Sequence, residues 1–322
     1  MTTTFRELIA ENKRNSVLLV AGFCSFVVAV ALILSLGVAA AFAPQAVSHL
    51  NWSEALLWGG VATGLSLFLS LLGYYSGDRF VLAASGARRI RHRDDPELFN
   101  VVEEMAIAAG VPMPEVYLMD DPALNAMATG RDPQHASVAV TTGLRSQLKR
   151  DELQGVIAHE MSHIRNFDIR LMLLMAVLVG TIVMLSDIFW QLTRGNNRSK
   201  SNDKEGKDGG LFVLVVLVLA IGLAVIAPFL AQIIQFAVSR QREFLADASA
   251  VELTRYPQGL ANALRKLEAD TAVLKSANRG TAHLFIANPI EKFQARAESA
   301  FASHPPLQQR IARLEALVRS EK

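Results

Sequence analysis

The chain has 322 residues, of which 51% are hydrophobic and only 19% charged. A soluble domain carries about 25% charged residues, so this composition favours a chain that lies partly in lipid. The net charge of +2 gives no reason to expect a nucleic-acid partner, and the single cysteine, Cys24, excludes an internal disulfide and a cysteine-based zinc site.

Two apolar stretches near the N-terminus predict a membrane hairpin over residues 1-78. Val17 to Ala43 is uncharged and, at 1.5 Å per residue, spans roughly 40 Å, more than the ~30 Å hydrocarbon core requires. Ala55 to Tyr75 is the second stretch. A cleaved signal peptide is the competing interpretation of the first, because Ala41-Phe42-Ala43 resembles a cleavage site. The apolar core is long for a signal peptide, however, and Pro44 would directly follow the cut.

A basic cluster from Arg88 to Arg93 follows the second stretch. The excess of Lys and Arg on the cytoplasmic side of membrane proteins predicts that this cluster and the N-terminus are cytoplasmic. The loop from Pro44 to Glu54 has neither residue type and would lie outside. The cluster is either a solvated face or a surface that attracts anionic headgroups.

Residues Asp94 to Asn166 have the pattern of a soluble α+β segment. Asp95-Pro96 begins a helix with apolar residues at helical spacing, and Gly110 ends it. Alternating or β-branched residues predict strands over Val116 to Met119 and Ser137 to Thr142, and the sequence from Asn125 to Pro133 predicts a loop with a turn at Gly130.

The next helix carries the spacing His-Glu-x-x-His at His159, Glu160 and His163, and the acidic pair Asp151 and Glu152 suits its N-terminus. Residues i and i+4 share one face of a helix, so the two imidazoles can bind one metal ion. The carboxylate of Glu160 would lie beside the open position of that ion, where it could take a proton from a bound water.

A second pair of apolar stretches predicts a hairpin over 171-238, with a polar loop from Arg194 to Gly210. Buried helices of a soluble core and a re-entrant hairpin are the alternatives, and the basic residues of the loop argue against placing it outside. The prediction is therefore a mainly α (α+β) fold with four membrane helices. Its catalytic domain, with a small β-sheet, is divided between 79-170 and 239-322.

A catalytic zinc takes three protein ligands and a water. Glu243 and Asp247 lie one turn apart on a helix predicted from Ser239 to Thr254, so one can bind metal while the other holds the second nitrogen of a ligand histidine. Pairing of both with Arg240 or Arg242 on a charged face is the alternative. The candidates for the third ligand are His135, His283, His304, Asp168, Glu243 and Asp247.

These residues occur in an order that resembles the HtpX family of bacterial inner-membrane zinc metallopeptidases, with the CAAX prenyl proteases as more distant relatives. The resemblance rests on ordered motifs, with Met127 a mild departure where an aromatic residue is frequent. They are His159-Glu160-x-Ser162-His163-x-x-Asn166-x-Asp168, Arg242-Glu243-Phe244-x-Ala246-Asp247, Asn125-Ala126-x-Ala128-x-Gly130, Ala282-His283-x-Phe285, and Ser303-His304-Pro305-Pro306 with Arg310-Ile311.

The resemblance implies a gluzincin-like site. It makes His159, His163 and Glu243 ligands of one Zn²⁺ per chain, Glu160 the general base, and Asp247 the residue that orients a ligand histidine.

The resemblance also implies that Asn125 and His304 lie at the active site as substrate or oxyanion contacts. Alternatively, Asn125 caps a turn and His304 braces the helix that follows it. For His135 and His283, surface or packing roles are favoured over a role in the site.

The strand from Ser137 to Thr142 is expected to hold substrate. As an edge strand beside the zinc helix, its residues Ser137, Val138, Ala139 and Val140 would pair with an extended peptide and grip its backbone. Such a site reads sequence loosely, as a protease that acts on unfolded segments requires.

The leading hypothesis is a zinc endopeptidase of the bacterial inner membrane. Its catalytic domain would face the cytoplasm near the membrane surface and cleave misfolded or damaged membrane proteins, with the chain itself a further candidate substrate through self-cleavage. One alternative is a non-catalytic membrane scaffold with a structural metal, against which the lack of ligand cysteines argues. The other is a processing peptidase for prenylated C-termini, for which two apolar pairs offer little material to build an enclosing chamber.

Overall fold

The computed structural model describes residues 75–175, 242–274, 284–287 and 305–320 continuously, together with shorter pieces and single residues between 22 and 73 and between 177 and 226. The predicted polar loop and the histidines at 283 and 304 lie outside the described residues. Among the residues that are described, no helix is long and apolar enough to cross a membrane. The four membrane helices therefore stay a prediction.

The chain divides into two compact units. One comprises Met1–Lys13, Tyr74–Ala176 and Gln235–Lys322, and the other comprises Arg14–Gly73 and Val177–Ile234. The first unit contains all the candidate site residues.

The first unit is mainly helical with a small mixed sheet of four strands, which confirms the predicted mainly α (α+β) class. The strands are β1 (Ala87–Arg89), β2 (Glu115–Met119), β3 (Ala126–Gly130) and β4 (Ala136–Thr141). Their order across the sheet is β1-β2-β4-β3, with β2 and β4 parallel and the other neighbours antiparallel.

Strands β2 and β4 confirm the two predicted strands, but the predicted loop from Asn125 to Pro133 is wrong. Its first half is β3, which pairs with β4 from Ala126–Val140 to Gly130–Ala136. Alanine and glycine have low strand propensity, so the local sequence of β3 gave little indication of a strand. Pairing with the buried, β-branched strand β4 outweighs that local preference.

Helix α1 covers 75–84, and α2 (Pro96–Ala109) begins and ends as predicted. The Asp95 carboxylate accepts a hydrogen bond from the Leu98 N–H at 3.1 Å, and Gly110 closes the helix with a left-handed φ of 67°. The apolar face of α2 packs against the helix that carries the two histidines.

The short helix α3 (Thr142–Gln147) leads into α4 (Arg150–Arg165), the helix of the His-Glu-x-x-His motif. Glu152 accepts a hydrogen bond from the Lys149 N–H at 2.7 Å and pairs with Lys266 Nζ at 2.6 Å. After Arg165 the chain turns through Phe167, which has a φ of 61°, and continues as α5 over 168–175. The motif helix is thus separated from the third apolar stretch by a single turn.

The described part of the first unit contains three further helices: α6 over 242–254, α7 (Pro257–Ala269) and α8 (Leu307–Ser320). Helix α7 packs against both α4 and α8. The approach of α4 to α7 is close, because a Cβ at Gly155 would lie 2.6 Å from the Leu260 nitrogen.

The segment 284–287 lies along the outer edge of β3. Phe285 forms an antiparallel bridge with Met127, and the Ile286 N–H donates to the Ala126 carbonyl at 2.9 Å. On this face of the sheet, Met127 and Phe285 belong to a small apolar cluster with Met172 from α5. This cluster lies beside the residues of the candidate site.

Candidate active site

His159 and His163 project from one face of α4, as their spacing predicts. Their Nε2 atoms are 3.2 Å apart and their rings are perpendicular to each other. Both side chains are almost completely buried. The two nitrogens therefore face the same point inside the protein.

Glu243, on α6, brings a carboxylate to that point. Its Oε2 is 3.5 Å from His159 Nε2, and its Oε1 is 3.5 Å from His163 Nε2. One donor atom from each of the three residues lies within 4.8 Å of the other two. Among the candidates for the third ligand that lie in the described part of the chain, the geometry favours Glu243.

The donor set fits a tetrahedral zinc ion. Two nitrogens that each lie about 2.05 Å from a tetrahedral ion are roughly 3.3 Å apart. The observed separation of 3.2 Å between the imidazole nitrogens matches this value. Imidazole and carboxylate donors together suit zinc, and three protein ligands leave a fourth position for water.

The two aspartates among the candidates hold the second nitrogens of the histidines. Asp247 Oδ1 is 3.0 Å from His159 Nδ1, and Asp168 Oδ2 is 3.2 Å from His163 Nδ1. A carboxylate at Nδ1 fixes the ring orientation and leaves Nε2 for the metal. Asp247 thus lies where the predicted orienting residue should be, and Asp168 has the same relationship to the other histidine.

Two arginines, Arg242 and Arg310, bind these aspartates. The guanidinium of Arg310 binds both carboxylate oxygens of Asp247, through Nε at 2.8 Å and Nη2 at 2.7 Å. The Nη1 atom of Arg242 donates to Asp168. Arg242 directly precedes Glu243 in the sequence, whereas only the fold brings Arg310 beside Asp247, 63 positions earlier.

The buried carboxylates around His159 and His163 stabilise positive charge on these two residues. Burial alone would lower the pKa of His163, but hydrogen bonds to Asp168 and Glu243 outweigh it and raise this pKa to about 10. Burial and Arg310 also oppose protonation of His159, yet its hydrogen bonds with Asp247 and Glu243 raise its pKa. A cluster with this preference is suited to bind a cation.

Glu160 lines the same small cavity as the three candidate ligands. Its side chain is buried, and this burial raises the pKa of its carboxyl group. A carboxylate with raised basicity is better able to accept a proton. The rest of the cavity wall comprises Ala128, Met172, Leu284, Phe285 and Ile286.

Asn125 lies at the start of β3 and is not among the residues that line this cavity. Its amide Nδ2 donates to the Ala287 carbonyl at 2.9 Å, and its Oδ1 accepts from the Ala287 N–H at 3.3 Å. The side chain therefore fastens the segment 284–287 to β3. Its predicted role as an oxyanion contact stays a prediction.

His135 lies away from the candidate ligands. It is half exposed and its Nδ1 is 2.7 Å from the Asp132 carboxylate, in the short turn between β3 and β4. This position agrees with the surface role that was favoured for it.

The expectation that β4 is an edge strand is wrong. It pairs with β2 on one side and with β3 on the other, so sheet neighbours flank Ser137, Val138, Ala139 and Val140 on both sides. The sequence predicts a loop where β3 lies, so it does not indicate the second neighbour of β4. The strand beside the cavity at the sheet edge is β3, whose Ala128 is part of the cavity wall.

A helix with two histidines and a glutamate at this spacing, completed by a glutamate from a second helix, is the centre of a metallopeptidase. The model of peptidase family M48 matches residues 92–318, so the chain belongs to this family. The protein is therefore a metalloprotease.

The resemblance to the HtpX family is confirmed by full-length relatives. The "Protease HtpX homolog" of Caldanaerobacter subterraneus subsp. tengcongensis is 42% identical over 325 residues, covering 98% of each chain. That of Thermoanaerobacter pseudethanolicus is 42% identical over 316 residues, again covering 98% of each chain. The homolog of Dictyoglomus turgidum is 46% identical over 259 residues, which cover 80% of this chain and 81% of the relative.

Among solved structures, the crystal structure of S. mikatae Ste24p matches with a TM-score of 0.45 and 20% identity. The match covers 77% of this chain and 58% of that one.

Proposed function

We propose that the protein is a membrane-embedded zinc endopeptidase that cleaves misfolded or damaged membrane proteins at the cytoplasmic face of the bacterial inner membrane. The observation that carries this proposal is the convergence of His159 Nε2, His163 Nε2 and the Glu243 carboxylate, with Glu160 in the same cavity. A zinc ion held by the first three would supply Lewis-acid polarisation of a water molecule and of the scissile carbonyl.

The chain's own residues then move the proton. Glu160 accepts it at a carboxylate oxygen from the attacking water and returns it to the nitrogen of the leaving amine. Asp247 and Asp168 keep the imidazoles oriented through Nδ1. The buried walls of the cavity exclude bulk water, which strengthens each of these electrostatic interactions.

The substrate backbone is proposed to pair with the outer edge of β3 beyond its bridge to the segment 284–287, in place of β4. Ala128 of β3 and Glu160 line the same cavity, so a peptide held at this edge would lie next to Glu160. Backbone pairing holds an extended chain with little regard to its sequence, which suits unfolded substrates.

The position of Met172 supports an active site near the membrane surface. This residue lines the cavity and is also the second residue of the third apolar stretch, which begins at Leu171. If that stretch enters the bilayer as predicted, the scissile bond is cut within a few residues of the lipid boundary.

The test is the variant Glu160→Gln in detergent-solubilised, zinc-loaded protein, with casein as an unfolded substrate. Cleavage should disappear while zinc stays bound, because the amide keeps the shape of the side chain and cannot accept the proton. Asp151→Asn, on the same helix, is the matched control and should retain cleavage. Full activity of Glu160→Gln would rule out this mechanism.

The same assay addresses the two alternatives. A wild-type protein that binds zinc but cleaves neither casein nor itself would favour the scaffold. Activity confined to a prenylated peptide would favour C-terminal processing.

A further inference from the structure

Arg310 is the largest fully buried side chain among the described residues, and it lies in α8, far along the chain from the histidine helix. We propose that Arg310 is a positioning residue of the metal site. It orients the ligand His159 through Asp247, with its own Nη2 also 3.3 Å from His159 Nδ1, and it contacts the ligand Glu243 directly. This inference rests on the metal site proposed above.

The first route runs from Arg310 through Asp247 to His159. Two nitrogens of the guanidinium bind the two oxygens of Asp247, at 2.8 and 2.7 Å. This bidentate geometry sets the plane of the carboxylate as well as its position. The oriented Oδ1 then lies 3.0 Å from His159 Nδ1, so the ring presents Nε2 to the metal.

The second route uses the remaining nitrogen. Nη1 of Arg310 is 3.1 Å from Glu243 Oε2 and donates to the Ile286 carbonyl at 3.0 Å. One planar group therefore joins a metal ligand to the cavity wall. A lysine has a single ammonium group and cannot hold Asp247, Glu243 and Ile286 in this arrangement.

The charge of the site explains why an arginine is needed here. Four buried carboxylates, on Glu160, Asp168, Glu243 and Asp247, lie with two buried guanidiniums, on Arg242 and Arg310. In their ionised forms they carry two net negative charges, which one divalent cation neutralises. Without Arg310, the carboxylates of Asp247 and Glu243 would repel each other in a poorly solvated site.

The competing interpretation is that Arg310 only fastens α8 to the core. Arg313 provides the comparison, because it lies on the same helix with its guanidinium 3.6 Å from the centre of the Phe244 ring. Removing Arg313 loosens the contact between α8 and α6 without touching a carboxylate of the site. A general loosening of α8 would therefore affect both variants, whereas a positioning role affects only Arg310.

The experiment measures zinc affinity of the full-length, detergent-solubilised protein by competition with a chromophoric chelator. Arg310→Gln should bind zinc 10- to 100-fold more weakly, the range expected when an outer-shell partner of a metal ligand is lost. Arg313→Gln should bind zinc as the wild type does. The visible spectrum of the Co²⁺-loaded protein should change only in Arg310→Gln, because its ligand geometry alone is altered. Equal zinc affinity in Arg310→Gln and wild type would overturn the proposal.

Arg310→Lys decides the question if the glutamine variant does not fold, since it keeps a positive charge in the buried position. It should still lose about tenfold or more in zinc affinity, because the bidentate contact is gone. A lysine variant with wild-type affinity and an unchanged Co²⁺ spectrum would overturn the proposal.

His163→Ala separates this inference from the proposed function. If that variant binds zinc like the wild type, the metal site itself is wrong and the role of Arg310 falls with it. If His163→Ala loses zinc while Arg310→Gln and Arg310→Lys do not, only the role of Arg310 is wrong.

Discussion

Asp168 Oδ2 lies 3.2 Å from His163 Nδ1, and this pair repeats the relationship between Asp247 and His159. Each candidate ligand histidine is thus backed by an aspartate, and each aspartate is bound in turn by an arginine. The aspartates come from different directions, since Asp168 follows the motif helix directly and Asp247 lies on α6. Each imidazole is therefore oriented by its own aspartate.

Asp168→Ala is expected to weaken zinc binding by roughly 10- to 100-fold, because His163 loses the carboxylate that orients its ring. Asp168→Asn should lose less, since its amide oxygen can still accept the hydrogen bond. Chelator competition on the solubilised protein measures both. Asp132→Asn is the matched control, because that aspartate holds the surface residue His135 in the same way at 2.7 Å. Wild-type zinc affinity in Asp168→Ala would contradict the orienting role.

The parts of the site that the sequence predicted are those set by local spacing. His159 and His163 share a face because they are one turn apart on a helix, and the same spacing of Glu243 and Asp247 on a second helix predicts that one of these two binds the metal. Asp168 is one of the candidate ligands in the sequence. Its position beside His163 Nδ1 depends on the turn at Phe167. A phenylalanine seldom has a positive φ, so the sequence does not indicate the backbone conformation of this turn.

The role of Arg310 and the identity of the edge strand depend on contacts between distant parts of the chain. Nothing in the spacing around Arg310 indicates that α8 packs beside α6, so its partner Asp247 was not predictable. The prediction that β4 is an edge strand is wrong for a related reason. The alternation of polar and apolar residues predicts β4 correctly. The small residues of β3 do not indicate a strand, so the sequence does not show that β4 has a neighbour on both sides.

Gly155→Ala should destabilise the protein because α4 and α7 touch at this point. The added Cβ would lie 2.6 Å from the Leu260 nitrogen, and backbone on the facing helix cannot yield as a flexible side chain does. Overpacking of this kind costs about 1–3 kcal/mol, which corresponds to a melting temperature lower by several degrees.

Thermal unfolding in detergent, followed by intrinsic fluorescence, measures the effect of Gly155→Ala. Gly64→Ala is the matched control, since a Cβ there has no neighbour within 4 Å, and it should leave the melting temperature unchanged or slightly higher. Equal melting temperatures for Gly155→Ala and the wild type would show that the two helices separate at little cost.

Asp95 contributes to stability in two ways that can be separated. Its carboxylate caps α2 through the Leu98 N–H at 3.1 Å and accepts a hydrogen bond from Arg145 Nε at 2.7 Å. Asp95→Ala removes both interactions, and loss of the cap alone costs about 0.5–2 kcal/mol. Asp95→Asn keeps the cap and removes only the charge, so it should be less destabilising than Asp95→Ala.

The pH dependence of Asp95→Asn tests the ionic part. Burial alone would raise the pKa of Asp95, but hydrogen bonds from Arg145 and Leu98 hold it below the usual value of 3.8. A depressed pKa adds stability that is present above the unfolded value and disappears as the pH falls through the folded value. The wild type should therefore be more stable than Asp95→Asn at pH 7, and the difference should shrink below about pH 4, as measured by denaturant unfolding at each pH. A difference that stays constant from pH 7 to pH 3 would show that the charge of Asp95 contributes nothing to folding.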